Sequence, residues 1–283
     1  MATRGWAGLW DSSFGRLRLI EEGRTVRGFY ECGGPSTLEG ESAADHLEFR
    51  YREPGVEGEG RFALAQDGES FNGFWRARGE ADWSKWNGAR GQAQPGVTWL
   101  VVLEAHWQRT LAETEYAFGH MLREYFARSA GVRVRQRFFH DAESLERWCR
   151  DLLLLAEPIV LVIASHGAAT GLSVHGEVID SQRILAALQH ANGLRLLHFS
   201  SCLVGLNAQA MNPRHFAVSG YTTSVDWGAS ALLEFTYLDL ILNRGMGPAE
   251  AAAKLPSVVP YAGEQAPPGS PYPAAGFRFL AAP

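Results

Sequence analysis

The sequence predicts two structural units: a small all-β antiparallel barrel or sandwich over residues 1–91, then an α/β unit over 97–283 whose mostly parallel sheet carries helices on both faces. Three observations predict this. Residues 1–90 alternate apolar and polar side chains and contain an internal repeat. From Val97 onward, short apolar runs alternate with segments of helical spacing. Two of those runs, PIVLVIASHG (158–167) and GLRLLHFSSCLVG (193–205), are dense in Val, Ile and Leu without alternation, as strands buried on both faces are.

In the first unit, Gly15-x-Leu17-x-Leu19 matches Gly60-x-Phe62-x-Leu64 at an offset of 45 residues. The same offset matches Glu22-Gly23 to Asp67-Gly68, Thr25 to Ser70, and Val26-x-Gly28-x-Tyr30 to Phe71-x-Gly73-x-Trp75. Each copy reads as strand, acidic-Gly turn, strand. Strand-like pieces at Leu38–Gly40, His46–Arg52 and Lys85–Arg90 complete an antiparallel meander. Trp6, Trp10, Trp75, Trp83 and Trp86 either plug the barrel, as aromatic preference for cores suggests, or line a binding mouth. Acid–base and metal constellations are missing from this stretch, so its expected role is recognition or regulation.

Residues 91–96, GQAQPG, read as a linker. Val97–Leu103 is a predicted strand, Thr110–Ser129 a helix stopped by Gly131, and Val132–Phe139 an edge strand. Asp141 caps a predicted helix through Leu154, and the strand into His166 follows. Leu172–Ile179 turns at His175-Gly176, Ser181 caps a helix to about Ala191, and the strand into Cys202 comes next. Phe216–Thr222 is a further strand, Ala229–Asn243 an apolar helix, Pro248 opens another helix, and Gly276–Leu280 is a last strand. The β-α-β-α-β order predicts parallel pairing with right-handed crossovers.

Composition excludes more than it assigns. Of 283 residues, 46% are apolar and 20% charged, which is the balance of a globular protein. A net charge of −5 gives no reason to expect nucleic acid or an anionic membrane as partner. Cys32, Cys149 and Cys202 are too few and too scattered for a disulfide framework or a zinc site, so a reducing compartment, no metal and no cofactor are expected. The stretch MATRGWAGLWDSS has no apolar signal-peptide core, and Leu152–Ala164 is interrupted by Glu157-Pro158 and too short to span a bilayer. A cytoplasmic location is the expectation.

The chemistry concentrates at the ends of the two buried runs. In an open parallel sheet the ligand crevice lies beyond the carboxyl ends of the strands, which brings His166 and Cys202 to one rim. An unperturbed thiol, with a pKa of about 8.5, is mostly protonated at neutral pH, and a neighbouring imidazole that takes its proton makes it a nucleophile. Gly167 has no Cβ to keep a substrate backbone away, and its N–H joins that of Cys202 as candidate oxyanion donors. His198 falls inside a strand and reads as a core histidine; His140, His175 and His215 are poor candidates for the base. There is no G-x-S-x-G elbow, P-loop or G-x-G-x-x-G turn.

A hydrophobic strand ending in His166-Gly167, followed about 35 residues later by one ending in Cys202 after small residues, resembles the caspase-type cysteine peptidases, a group spanning caspases, metacaspases, gingipain-like and clostripain-like enzymes and CHAT domains. The resemblance spans roughly residues 97–256 and is sharp only around those two blocks. It implies a caspase-like α/β fold, a His166/Cys202 dyad, and protein or peptide substrates. It also implies that the loop Thr222–Trp227 helps wall the pocket for the side chain before the scissile bond, making Asp226 and Trp227 candidate substrate-binding residues together with Ser200. A carboxylate there favours cleavage after Arg or Lys, but Asp226 is equally placed to cap the helix that follows. Two departures stand out. Metacaspase-like enzymes carry Asp where this chain has Ser200, and only Leu203–His215 separates the nucleophile strand from the next, too short for a cleavable activation linker.

The leading reading is therefore a caspase-like cysteine endopeptidase whose N-terminal barrel recognises a substrate or an activating partner. Bacterial members of the group often act as triggered proteases in signalling or defence, which implies a regulated role. The alternatives are a non-catalytic caspase-like scaffold that binds a protein partner through the β unit, and a cysteine hydrolase of another acyl substrate.

Overall fold

Alternating side chains over residues 8–90 give nine strands in a computed structural model that describes residues 5–108, 110–113, 116–207 and 210–283. They are β1 (Gly8–Ser12), β2 (Gly15–Glu22), β3 (Thr25–Glu31), β4 (Pro35–Ala43), β5 (His46–Glu53), β6 (Val56–Leu64), β7 (Ser70–Ala77), β8 (Ser84–Lys85) and β9 (Gly88–Arg90). β1 to β7 pair in sequence, every pair antiparallel, and β9 closes the ring by pairing with both β1 and β7. The result is an eight-strand antiparallel barrel, with β8 as a short extra piece on β7. Closure removes the open edges at which strands aggregate.

The repeat maps the hairpin β2–β3 onto β6–β7, and the two acidic-Gly turns share a left-handed glycine, Gly23 at φ 65° and Gly68 at φ 72°. Their registers differ. Leu19 faces Gly28 in the first hairpin, whereas Phe62 faces Gly73 in the second, a phase difference of two residues that the longer second turn absorbs. An even slip leaves every side chain on its own face. The interior is filled by Trp6, Trp10 and Trp86 packed with Phe49, Phe62 and Phe71. Trp75 is only half-buried, and Trp83 lies under the guanidinium groups of Arg61 and Arg76 instead of inside the barrel. An open concavity of about 970 Å3 on the barrel is lined by Arg50, Arg52, Arg76 and Arg78 together with Glu39, Glu57, Glu59 and Glu80.

The chain forms two compact units, Met1–Gln94 with Asp151–Ala156, and Pro95–Arg150 with Glu157–Pro283. The short segment groups with the barrel because the carbonyls that end its 3-10 turn lack helical partners and are taken by β2. Arg18 Nε donates to Leu153 O at 2.7 Å and Arg16 Nη1 to Leu154 O at 3.0 Å.

In the second unit the elements follow as β10 (Thr98–Ala105), α1 (Phe118–Phe126), β11 (Val132–Phe139), α2 (Ala142–Asp151), β12 (Ile159–Ala164), β13 (His166–Ala168), β14 (Gly171–Val174), β15 (Glu177–Asp180), α3 (Ser181–Ala187), β16 (Leu194–Ser200), β17 (Ala217–Tyr221), α4 (Trp227–Leu242), α5 (Pro248–Val258) and β18 (Phe277–Leu280). The main sheet runs β11-β10-β12-β16-β17-β18, parallel throughout except for β18. Leu100, Val102, Val160, Val162 and Leu196 pack with residues of α1, α4 and α5 in one core. The alternate positions Val101, Leu103, Leu161, Ile163 and Leu197 are equally buried, so the sheet is covered on both faces. β13, β14 and β15 form a separate antiparallel sheet after β12.

The helix expected over Thr110–Ser129 is confined to Phe118–Phe126; residues 109, 114 and 115 lie outside the described set. Its start is set from the sheet. The buried Glu104 accepts hydrogen bonds from the first helical N–H groups, Phe118 at 2.6 Å and Gly119 at 2.8 Å, supplying from β10 the acceptor that Ala117 lacks. α3 is capped by Asp180 rather than Ser181, with Asp180 Oδ1 accepting from Gln182 N at 2.8 Å. Among the described residues no helix is long and apolar enough to cross a membrane.

Candidate active site

The site grows out of one register. β12 and β16 are parallel neighbours with Ala164 opposite Ser200, so His166 and Cys202 each stand two residues beyond a paired position. Both then leave the sheet: His166 opens β13, and the chain after Cys202 turns sharply through Leu203 in the left-handed region at φ 63°. That conformation is costly for a branched residue and is held by Leu203 N donating to Thr223 O and Val204 N to Cys202 O. The paired ends are laced by hydroxyls, with Ser165 N 3.3 Å from Ser201 Oγ and Ser165 Oγ donating to His166 O at 2.8 Å.

Gly167 lies against the backbone of Cys202. A Cβ built on it would stand 1.8 Å from Cys202 O and 2.8 Å from Cys202 N, so only glycine fits there. Across the thiol, Val225 N points at Cys202 Sγ from 3.4 Å. A cavity of about 190 Å3 opens beside the pair, with Ala164, Ser165 and His166 from one strand end and Ser200, Ser201 and Cys202 from the other. Its remaining walls are Trp107, Tyr116 and Phe118, then Tyr221, Val225, Trp227 and Ser230. The exposed His166 ring meets the Trp107 ring edge-on at 4.9 Å.

Two buried carboxylates stand behind these walls. Besides capping α1, Glu104 accepts from Trp107 Nε1 at 2.7 Å and Gln136 Nε2 at 2.9 Å, fixing the tryptophan that touches His166. Glu234 on α4 accepts at one oxygen, Oε1, from Ser200 Oγ and Tyr221 Oη, both at 2.8 Å. Its Oε2 and the Tyr116 hydroxyl have no hydrogen-bond partner among the described residues. His198 is fully buried, paired through Nδ1 with Ser219 Oγ at 2.9 Å, and its Nε2 stays 3.4 Å from Glu234 Oε1 without a hydrogen bond. Burial first, and the neighbouring Glu234 second, push the Tyr221 phenol well above its usual range. The Tyr116 phenol is likewise raised, by burial and then by Glu104 and Glu234.

The expected site residues therefore separate. His166, Ser200, Cys202 and Trp227 share the cavity wall, and Gly167 packs on Cys202. Asp226 does not line it; its Oδ1 accepts from Ala229 N at 3.0 Å as the N-cap of α4. Sequence reasoning missed Trp107, Tyr116 and the two carboxylates. A signal existed, since Glu104 and Glu234 are lone acids inside apolar runs, TWLVVLEA and ALLEF, where a charge persists only with partners.

These features define an open α/β sheet with a thiol, an imidazole and a small cavity at the carboxyl ends of its parallel strands. No protein-family model and no curated protein matches the chain. Among solved structures, it is similar to a secreted C11 cysteine protease from Bacteroides thetaiotaomicron, described in complex with an irreversible peptide inhibitor, at 10% identity and a TM-score of 0.44 over 65% of this chain and 66% of that one, just under two thirds of its length. It is similar also to caspase-1 from Spodoptera frugiperda, at 10% identity and a TM-score of 0.43 over 65% of this chain and 88% of that one.

Proposed function

We propose that the chain is a caspase-like cysteine endopeptidase that cleaves protein or peptide substrates with His166 and Cys202. The observation that carries this reading is the β12–β16 register, which sets both residues two positions past paired strand ends on one cavity. In the reaction His166 takes the thiol proton, the sulfur attacks the scissile carbonyl carbon, and the N–H groups of Gly167 and Cys202 hold the oxyanion. The imidazolium then protonates the leaving amine, and water activated by the same ring hydrolyses the thioester.

The preferred side chain before the scissile bond is Arg or Lys. Support for this comes from Glu234 rather than Asp226. The hydroxyl protons of Ser200 and Tyr221 are committed to Glu234, which leaves their lone pairs to accept from a cationic head, with the carboxylate one bond behind. Trp107 and Trp227 offer apolar walls for the aliphatic stem. The barrel is assigned recognition of a substrate or activating partner, for which its concavity of mixed Arg and Glu side chains suits a polar surface.

A peptide-library cleavage profile tests the reading. Wild-type protein should cut after Arg or Lys, and Cys202→Ala and His166→Ala should abolish turnover. Cleavage that persists in Cys202→Ala overturns the assignment, and peptide binding without turnover in the wild type leaves the non-catalytic scaffold.

A further inference from the structure

Three histidines that the proposed chemistry does not use converge at the same end of the sheet. His106 directly follows β10 and His140 directly follows β11, and the in-register pairing of Ala105 with Phe139 sets them side by side with ring centroids 5.5 Å apart. His175 arrives from the β14–β15 turn, where it holds the left-handed φ of 49°, and its ring stacks 6.5 Å from that of His106. One ring nitrogen from each falls within 4.8 Å of the other two.

We infer that His106, His140 and His175 bind a divalent transition metal ion of the zinc class. Imidazole nitrogens suit zinc, nickel, copper and cobalt, whereas magnesium and calcium require oxygen ligands, and no carboxylate belongs to this cluster. Zinc–nitrogen bonds of about 2.0–2.1 Å put tetrahedral ligand atoms roughly 3.3 Å apart, so the rings need to close by less than about 1.5 Å. His140 and His175 are exposed and have room to turn. His106 is already oriented, because its Nδ1 lies 3.2 Å from Gln108 O; a proton donated there leaves Nε2 as the free ligand, the outer contact that metal-binding histidines use. Three neutral ligands leave a fourth position open to water.

The ion ties together segments that border the cavity. His106 adjoins Trp107, and His175 lies in the turn joining β14 and β15 of the antiparallel sheet that begins with His166. Cys202 is not one of the three ligand residues, and occupancy is read without any peptidase turnover, so failure of the proposed function and failure of this inference are distinguishable.

The test is a zinc titration of tag-free full-length protein against a chromophoric chelator, with cobalt substitution followed by absorption. Wild type and Cys202→Ala should each bind one ion per chain, with a cobalt spectrum that lacks a thiolate charge-transfer band. Losing an outer contact alone costs about 10–100-fold in affinity, so His140→Ala and His175→Ala, which delete ligands, should each weaken binding by more than about a hundredfold at unchanged circular dichroism. Affinity within about threefold of wild type in both variants overturns the inference. So does binding that disappears in Cys202→Ala, since the ion would then sit on the dyad.

Discussion

Gly167→Ala tests the placement of the proposed catalytic pair through a single methyl group. The added Cβ would meet Cys202 O at 1.8 Å, and real Cβ atoms essentially never approach closer than 3.0 Å, so the two backbones must part by at least 1.2 Å, the difference between those distances. Both partners are backbone, and no rotamer change relieves the clash. One side carries His166 and the first proposed oxyanion donor, the other the proposed nucleophile and the second donor. A displacement of about 1 Å at reacting groups costs on the order of a hundredfold in rate, roughly 2.7 kcal/mol at the barrier. The expected outcome is a fall of about that size in kcat/KM for a fluorogenic peptide, with a parallel change in the alkylation rate of Cys202. Gly247→Ala is the control, since an added Cβ there meets nothing within 4 Å and φ is already −64°. Gly167→Ala activity within about threefold of wild type would falsify the reasoning, because the barrier is then insensitive to the spacing of these backbones.

Glu104→Gln replaces two acceptor oxygens by one where four donors converge, so about two buried donors lose their partner at roughly 1–3 kcal/mol each. The melting temperature should drop by more than about 4 °C, and a drop under about 2 °C would show that the donors find other acceptors. Asp226→Ala removes a helix cap and should cost about 1 kcal/mol in denaturant titration while leaving the ranking of peptide substrates unchanged. Glu234→Gln should do the reverse, lowering kcat/KM for Arg and Lys substrates by more than about tenfold relative to apolar ones; equal losses on both classes would remove Glu234 from specificity.

The strands were readable because a buried strand announces itself by composition and a half-buried one by alternation. Ile159–Ala164 and Leu194–Ser200 are continuous apolar runs, and their shared sheet follows from the βαβ order. That His166 and Cys202 stand just past the ends of those runs was readable for the same reason, since one serine precedes the first and two precede the second. The start of the first helix was not. Leu111, Phe118, Met121, Leu122 and Tyr125 fit one helical period, but the helix begins only at Phe118, where its first N–H groups meet Glu104 of β10, and the same carboxylate holds Trp107 in the cavity wall. Asp226 shows the opposite limit: its residue type fits a cap and a pocket equally well, and in the fold its Oδ1 accepts from Ala229 N. The three histidines come from segments far apart in the chain, and their convergence depends on strand register, which no local pattern carries.

The two-residue phase difference between the barrel's repeated hairpins bears on how such a barrel tolerates length change. If the copies share an origin, their connecting turns have diverged while Phe62 and Leu17 both kept to the interior, which an even step allows. An odd step would send Phe62 and Phe71 into solvent and draw Arg61 and Asn72 inward. The barrel thus behaves as a ratchet with a two-residue tooth. Insertions of two residues at Ala65–Glu69 should be accepted as a change of turn, whereas single-residue insertions there must be absorbed by a bulge or lost to unfolding.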